Sequence, residues 1–472
     1  MPEHRFASLC MGVSHTLPNR CRPYYVLMKQ VLNFFLAATV VMLAGCANSP
    51  GVQAPPPQLQ ACPSEVPAGA RCYSGEDGRG AFYRIAIPAN WDKQVLVMHA
   101  HGGPADTGPA QSARSEEDLK RWAVTVKAGY AWAGSSYRRG GYGVTMAAED
   151  TERLRQIFVQ HFGAARRTLL HGQSYGGGVA AKAAEIYANV AGQRSPYHGV
   201  LLTNSVLGGG QLAYTFRLDL RVVYQYVCKN HPKPDEAQYP LWQGLPVDST
   251  LTRVELLSRI DDCTGVRKPA AQRSAQQAAN LAAIVKVVKL SEQSLVGHMS
   301  FATWLFRDLT QLRLGNRNPF DNATAVYSGS SNDAALNAGV LRYQADPQAV
   351  AELAKDSAPD GRVNVPTLTL HAANDPTAFV ELESAYRDVR ERAGTGHLLM
   401  QTFTDESEHS YLAEAQYPAM FTALLDWVNR GDKPTPQKVL ALCKSYEATY
   451  GKGCRIQPDY RSPSLATRVT PR

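Results

Sequence analysis

The run Gly172-Gln173-Ser174-Tyr175-Gly176 constrains this chain more than any other feature. Before it lies a short apolar run, Arg167 to His171, that reads as a strand. After it lies an alanine-rich run, Gly176 to Val190, that reads as a helix. A Gly-x-Ser-x-Gly between strand and helix makes a sharp turn that lifts the serine clear of a sheet. Side chains on the flanking positions would collide with the neighbouring strand and helix, hence the glycines. The surrounding chain has the pattern of such a sheet. Phe82 to Pro88, Gln94 to Ala100, Tyr130 to Tyr137 and His198 to Thr203 read as strands, and Thr145 to Phe162 as a helix. Gln94 to Ala100 is almost wholly apolar, as a strand buried on both faces must be. Strands alternating with helices imply a mostly parallel sheet with helices on both faces.

The alternation stops at Gly208. From there to about Asn364 only helices and loops are expected, with helical spacing at Leu251 to Asp261, Ala271 to Leu290 and Phe301 to Leu312. It resumes with Pro366 to His371 (strand), Phe379 to Ala393 (helix), His397 to Phe403 (strand) and Ala415 to Val428 (helix). A helical insertion between two sheet strands has the form of a lid. Gly208-Gly209-Gly210, where it leaves the sheet, permits a sharp exit or a hinge. The expected division is a signal region at 1–45, a Pro-rich tether at 46–59, core at 60–207, lid at 208–362, core at 363–432 and an extension with a cysteine pair at 433–472.

An alcohol such as Ser174 attacks a carbonyl only with an adjacent base and an orienting acid. Asp375 closes a short loop after the strand Pro366 to His371, where a carboxylate can hold an imidazole in the right tautomer. Beyond it stand His397 and His409. His397 opens a strand, whereas His409 lies in the loop Asp405-Glu406-Ser407-Glu408-His409-Ser410, just past a strand end. Sites form at the carboxyl ends of parallel strands, so His409 is the expected base. Asp405, Glu406 and Glu408 are weaker candidates for the acid and are expected to solvate the loop. His101-Gly102-Gly103-Pro104 follows the strand Gln94 to Ala100, and its glycines let backbone amides approach a reacting carbonyl. The Gly103 and Tyr175 amides, with Gly102 in reserve, would form an oxyanion hole.

Together, His101 to Pro104, the turn at 172–176, Asp375 and His409 resemble the α/β-hydrolase superfamily, over roughly residues 80–207 and 363–430. The resemblance implies an α/β-hydrolase fold and the chain order serine, acid, histidine. Tyr137-Arg138-Arg139-Gly140-Gly141-Tyr142-Gly143 and Ser174-Tyr175-Gly176-Gly177 look like the catalytic domains of prolyl-oligopeptidase-type peptidases. This chain has no room for their β-propeller, and Asp375 lies 201 positions after Ser174. The lidded arrangement resembles esterases, feruloyl-esterase-like and proline-iminopeptidase-like enzymes. The leading expectation is a serine hydrolase of carboxylic esters that needs no cofactor or metal. The alternative is an exopeptidase of short, proline-containing peptides using the same residues. That alternative needs carboxylates for the substrate amine, with Asp235, Glu236, Asp261 and Asp262 as candidates. A catalytically silent binding lipoprotein is the third reading. Aromatic residues are dense in the insertion, and Trp242, Trp304 and Arg138 are candidate pocket residues.

The remaining signals concern destination. Met28-Lys29-Gln30, the apolar stretch Val31 to Leu43 and then Leu43-Ala44-Gly45-Cys46 describe a secretory signal. The tetrad resembles the bacterial lipobox, which implies acylation of Cys46 and a membrane tether in the cell envelope. Met28 is the expected initiator. Cys62, Cys72, Cys228, Cys263, Cys443 and Cys454 remain, an even count that suits export and disulfides. Fifteen pairings are open, and pairing of sequence neighbours is the simplest. Residues 1–45 carry four basic side chains and one acidic, leaving 45 basic and 40 acidic beyond them. So small a surplus argues against a nucleic-acid partner.

Overall fold

The structure, a computed structural model, describes residues 53–103, 107–187 and 195–472. The signal region, Met28, Cys46, the first half of the tether and Pro104 lie outside these. Nine strands form one sheet in the order β1-β2-β3-β5-β4-β6-β7-β8-β9. They are β1 (Gln58–Gln60), β2 (Arg71–Glu76), β3 (Phe82–Ile87), β4 (Val95–Ala100), β5 (Ala131–Ser135), β6 (Arg167–Gln173), β7 (Gly199–Thr203), β8 (Thr367–Ala372) and β9 (Leu399–Thr404). From β5 to β9 every pairing is parallel, and β1 to β3 add an antiparallel edge. With helices on both faces and the serine turn after β6, this is the α/β-hydrolase fold.

Strand periodicity divides the core in two. Leu96, Met98, Val200 and Leu202 face one apolar cluster, while Val95, Val97, Leu201, Leu368 and Leu370 face the other. The first cluster runs on without a break into the segment between β7 and β8, through Phe216, Leu256, Leu281 and Leu353. That segment is helical: Gly209–Cys228, Arg253–Thr264, Ala275–Val287, Leu295–Ser300, Asp333–Gly339 and Pro347–Ser357. Residues 301–313 wind as wide π turns rather than the expected α-helix. Cys62–Cys72, Cys228–Cys263 and Cys443–Cys454 are disulfide-bonded, which is the neighbour pairing.

Several expectations need correction. The three glycines at 208–210 are packed rather than loose. A Cβ on Gly209 would stand 2.7 Å from Ala358 Cα, and the Gly210 amide donates to Ser357 Oγ. Part of the presumed tether is docked, since Arg153 donates to the Gln53 carbonyl and Gln58–Gln60 pairs with β2. His397 lies in an exposed 3₁₀ turn ahead of β9, not in the strand.

Candidate active site

The turn after β6 is as tight as its sequence demands. A Cβ on Gly172 would meet the Gly176 carbonyl oxygen at 2.1 Å, and one on Gly176 would meet the Ala100 oxygen at 2.0 Å. Ser174 sits at φ 58°, a left-handed conformation that costs a non-glycine residue about 1–2 kcal/mol. The Ser174 amide donates to Thr203, and the Ser174 carbonyl accepts from Gly177 and Val206, so the strained residue is held from both sides.

Ser174 Oγ lies 2.8 Å from His409 Nε2. His409 Nδ1 lies 2.8 Å from Asp375 Oδ2 and 3.0 Å from Oδ1. Asp375 is 4% exposed, and its Oδ1 also accepts the Thr377 and Ala378 amides. Ser174, His409 and Asp375 thus form one hydrogen-bonded line across the carboxyl ends of β6, β8 and β9. Side chains not singled out in the sequence hold this line. The His409 carbonyl accepts from Gln173 Nε2 and Asn204 Nδ2, and Asn204 Oδ1 accepts the Ala372 amide. Glu406 accepts from Thr404, Gln416 and the Ala413 amide, which curls the histidine loop; it does not reach His409.

Behind Asp375 stands His371. Its Nδ1 is 3.0 Å from Glu383 Oε1, its Nε2 is 2.9 Å from the Ala378 carbonyl, and Asp375 Oδ2 is 3.6 Å away. Burial alone would lower its pKa. The Glu383 hydrogen bond and the charges of Glu383 and Asp375 outweigh burial and raise it. The Glu383 carboxylate at Nδ1 thus favours the protonated ring.

His101 plays a different part. Its ring stacks on Tyr137 and faces the Gly102 and Ser136 carbonyls. Burial, then Arg114, push its pKa down to about 4, so it is neutral near pH 7. Arg114 also donates to the Gly102 carbonyl. In a trans peptide the following amide, that of Gly103, points the opposite way. Gly102 lies against the serine, and a Cβ there would be 3.4 Å from Ser174 Cβ. Tyr175 is the first residue of the helix Tyr175–Tyr187, where amides lack helical partners. A cavity of about 120 Å³ adjoins this side, lined by His101, Arg114, Tyr137, Arg139 and Tyr175 among others.

The candidate pocket residues fare unevenly. Arg138 is engaged elsewhere, paired with Asp150 and Glu149, and so is withdrawn from the pocket. Trp242 and Trp304 are half-buried against the core of the helical segment, with the Arg253 guanidinium over the Trp304 ring. The segment does meet the hydrogen-bonded line on two flanks. Tyr214 packs on Tyr142 and Tyr142 on Tyr175, beside the serine. His298 bonds the Pro376 carbonyl, beside the aspartate.

No protein-family model matches the chain, and no curated protein matches it. Similar solved structures include an esterase from Aspergillus oryzae, at 13% identity and TM-score 0.45, covering 82% of this chain and 88% of that one. Another is feruloyl esterase B from the same organism, at 12% and 0.41, covering 80% and 86%. A third is puromycin hydrolase, at 14% and 0.36, covering 79% and 39%.

Proposed function

We propose that this chain is an exported serine hydrolase that cleaves carboxylic esters through an acyl-enzyme on Ser174. The observation that carries the reading is the continuous hydrogen-bonded line Ser174–His409–Asp375 on a strained, glycine-flanked turn. Ser174 Oγ attacks the acyl carbon as His409 Nε2 takes its proton. Asp375 fixes the ring tautomer through Nδ1–H and stabilises the imidazolium. The tetrahedral oxyanion is received by the Tyr175 and Gly103 amides, worth roughly 3–4 kcal/mol each. His409 then protonates the leaving alcohol. Water, deprotonated by the same ring, attacks the acyl-enzyme and releases the acid and free Ser174.

The four carboxylates considered for a peptidase's substrate amine are engaged or placed elsewhere. Glu236 pairs with Arg259 and Asp261 with Arg267. Asp262 lines a separate depression beside Cys263, and Asp235 is exposed. The segment between β7 and β8 acts as a lid that governs access. Export is supported by the three disulfides, and no described helix is long and apolar enough to cross a membrane. A diacylated Cys46 would then tether the mature chain to the cell envelope, and the intact mass of its N-terminal peptide tests that. A fluorophosphonate probe tests the chemistry: it should label Ser174 stoichiometrically, and an unlabelled folded protein would sink the hydrolase reading in favour of a silent binding protein.

A further inference from the structure

Three arginines in the helical segment and the second half of the core are buried, and they are treated differently. Arg390 donates to Thr367, Tyr386, Thr395 and the Val363 and Thr395 carbonyls. Arg221 reaches His231, Thr303, Tyr239 and the Gly244 carbonyl. Arg217 is 3% exposed, yet it makes a single hydrogen bond, from Nη1 to the Ala213 carbonyl of its own helix. Its Nε has no partner, and it forms no ion pair among the described residues. Its surroundings are aromatic. The guanidinium carbon stands 4.0 Å from the Phe301 ring centre, 4.6 Å from Phe216 and 5.0 Å from Tyr214.

Aromatic rings satisfy the faces of a guanidinium and leave the N–H groups along its edge. That edge is a planar fork matched to two carboxylate oxygens. A buried cation without an anion is costly, and here burial pulls the guanidinium pKa down to about 10. Arg221 and Arg390 have no ion pair among the described residues either, but several neutral acceptors satisfy their N–H groups, whereas Arg217 has one and its open edge suits an anion that arrives from outside. Packed rings join Arg217 to the hydrogen-bonded line. Tyr214 leads through Tyr142 to Tyr175, and Phe216 packs on His298, which bonds the residue after Asp375. His298 also lies within the electrostatic reach of both Arg217 and His409.

We infer that Arg217 is the binding site for a carboxylate carried by the substrate, so that the esters cleaved at Ser174 are anionic: half-esters of dicarboxylic acids, or esters whose alcohol part bears a free carboxyl. The inference rests on the Ser174 hydrolase reading. Purified full-length protein is assayed on two matched pairs, p-nitrophenyl hydrogen glutarate against p-nitrophenyl valerate, and 4-(carboxymethyl)phenyl butyrate against 4-ethylphenyl butyrate. The charged member of one pair should be preferred in kcat/KM by about tenfold or more. Arg217→Gln should bring that ratio to about one, and Arg217→Lys should restore part of it. Turnover of neutral esters with no preference in either pair, or a preference unchanged in Arg217→Gln, overturns the proposal. A purely structural arginine is caught separately. Arg217→Met, relieved of an unpaired buried charge, should unfold no earlier than the parent, and a clear fall in Tm overturns the proposal. If no ester turns over and Ser174 resists the fluorophosphonate, the hydrolase reading fails alone. Calorimetry then still reads Arg217, because 4-phenylbutyrate should bind about tenfold tighter than 4-phenylbutanamide to the parent and no tighter to Arg217→Gln; equal binding to the parent refutes the site.

Discussion

Helices packed on the sheet and four of the six α-helices in the 208–362 segment begin in different ways; the exceptions, Gly209–Cys228 and Leu295–Ser300, have no side-chain cap. In the segment, Arg253–Thr264 and Ala275–Val287 start with reciprocal capping boxes, Thr252 with Glu255 and Ser274 with Gln277. Asp333–Gly339 and Pro347–Ser357 start on Asn332 and Asp346, each accepting an amide of its own first turn. Against the sheet, Ser112–Arg121, Val144–Phe162, Leu382–Arg392 and Gln416–Arg430 have no side-chain cap from the residue before them. The start of Val144–Phe162 is closed from afar, by Asp356 accepting the Val144 and Thr145 amides and Tyr175 Oη accepting that of Gly143. A helix laid on a sheet is fixed by its apolar face and can borrow its caps. The four capped segment helices, which pack mainly on other helices, carry a start encoded next to them. The chemistry follows the same division, since the groups proposed to break the bond stand on sheet ends and Arg217 stands on the segment.

The sharpest break in that comparison is catalytic. Ser174→Ala and His409→Ala should each lower turnover of an activated ester by roughly 10⁴–10⁶, with the double variant little worse, and Asp375→Asn by about 10³–10⁴. Folding of each is checked by circular dichroism. Additive losses in the double variant would mean that the two side chains do not act as a unit.

Next in size is a buried carboxyl beneath the sheet ends. Asp118 has no partner for Oδ2, and His99 Nε2 is 4.0 Å from Oδ1. Burial raises its pKa to about 7, against the opposing pull of Arg114 and Arg121. Between about pH 4 and 7 the folded protein therefore holds a proton that the unfolded chain releases, and stability drains away as pH rises through that window. Asp118→Asn cannot ionise. Its stability relative to the parent should grow from pH 4.5 to pH 8, by about 3 kcal/mol in urea titrations. A pH-independent difference would mean that Asp118 is not protonated in the fold.

Caps test the comparison directly. Asp356→Ala strips two amides at a distance and should cost about 2–3 kcal/mol, whereas Thr252→Ala should cost about 1 kcal/mol. Equal costs in thermal unfolding would erase the distinction between borrowed and local starts. Smaller still are effects on substrate choice. Trp242→Ala and Trp304→Ala should change acyl-chain preference by about tenfold while p-nitrophenyl acetate turnover moves less. Unchanged preference in both would make these rings packing alone. Least of all, His397→Ala should leave turnover within about tenfold, since its side chain is exposed ahead of β9. Loss of activity there, with a folded His409→Ala still active, would reassign the base.

What the sequence shows follows from what is local. β4 and β7 are legible because strands buried on both faces read as apolar runs, while β6, β8 and β9 mix polar residues with apolar ones and are marked by the turns and loops that follow them. The edge pair is not. Gln58–Gln60 is exposed throughout and Arg71–Glu76 half-exposed, so neither carries a period. Ser174, Asp375 and His409 stand out because each follows a strand. Gln173, Asn204, His371 and Arg114 do not, because each acts only through a partner on another element. The starts at Thr252 and Ser274 were there to be read as Thr-x-x-Glu and Ser-x-x-Gln. The wide turns at 301–313 have no marker in the sequence that accounts for them.

β7 and β8 lie side by side, with Val200 opposite Thr367. To the sheet, all the chain between them is one connection. The entropy of closing a connection rises only with the logarithm of its length, so an eightfold longer one costs about 2 kcal/mol more before its added residues fold. A lineage can therefore enlarge, trim or replace this stretch in small steps without disturbing strand register.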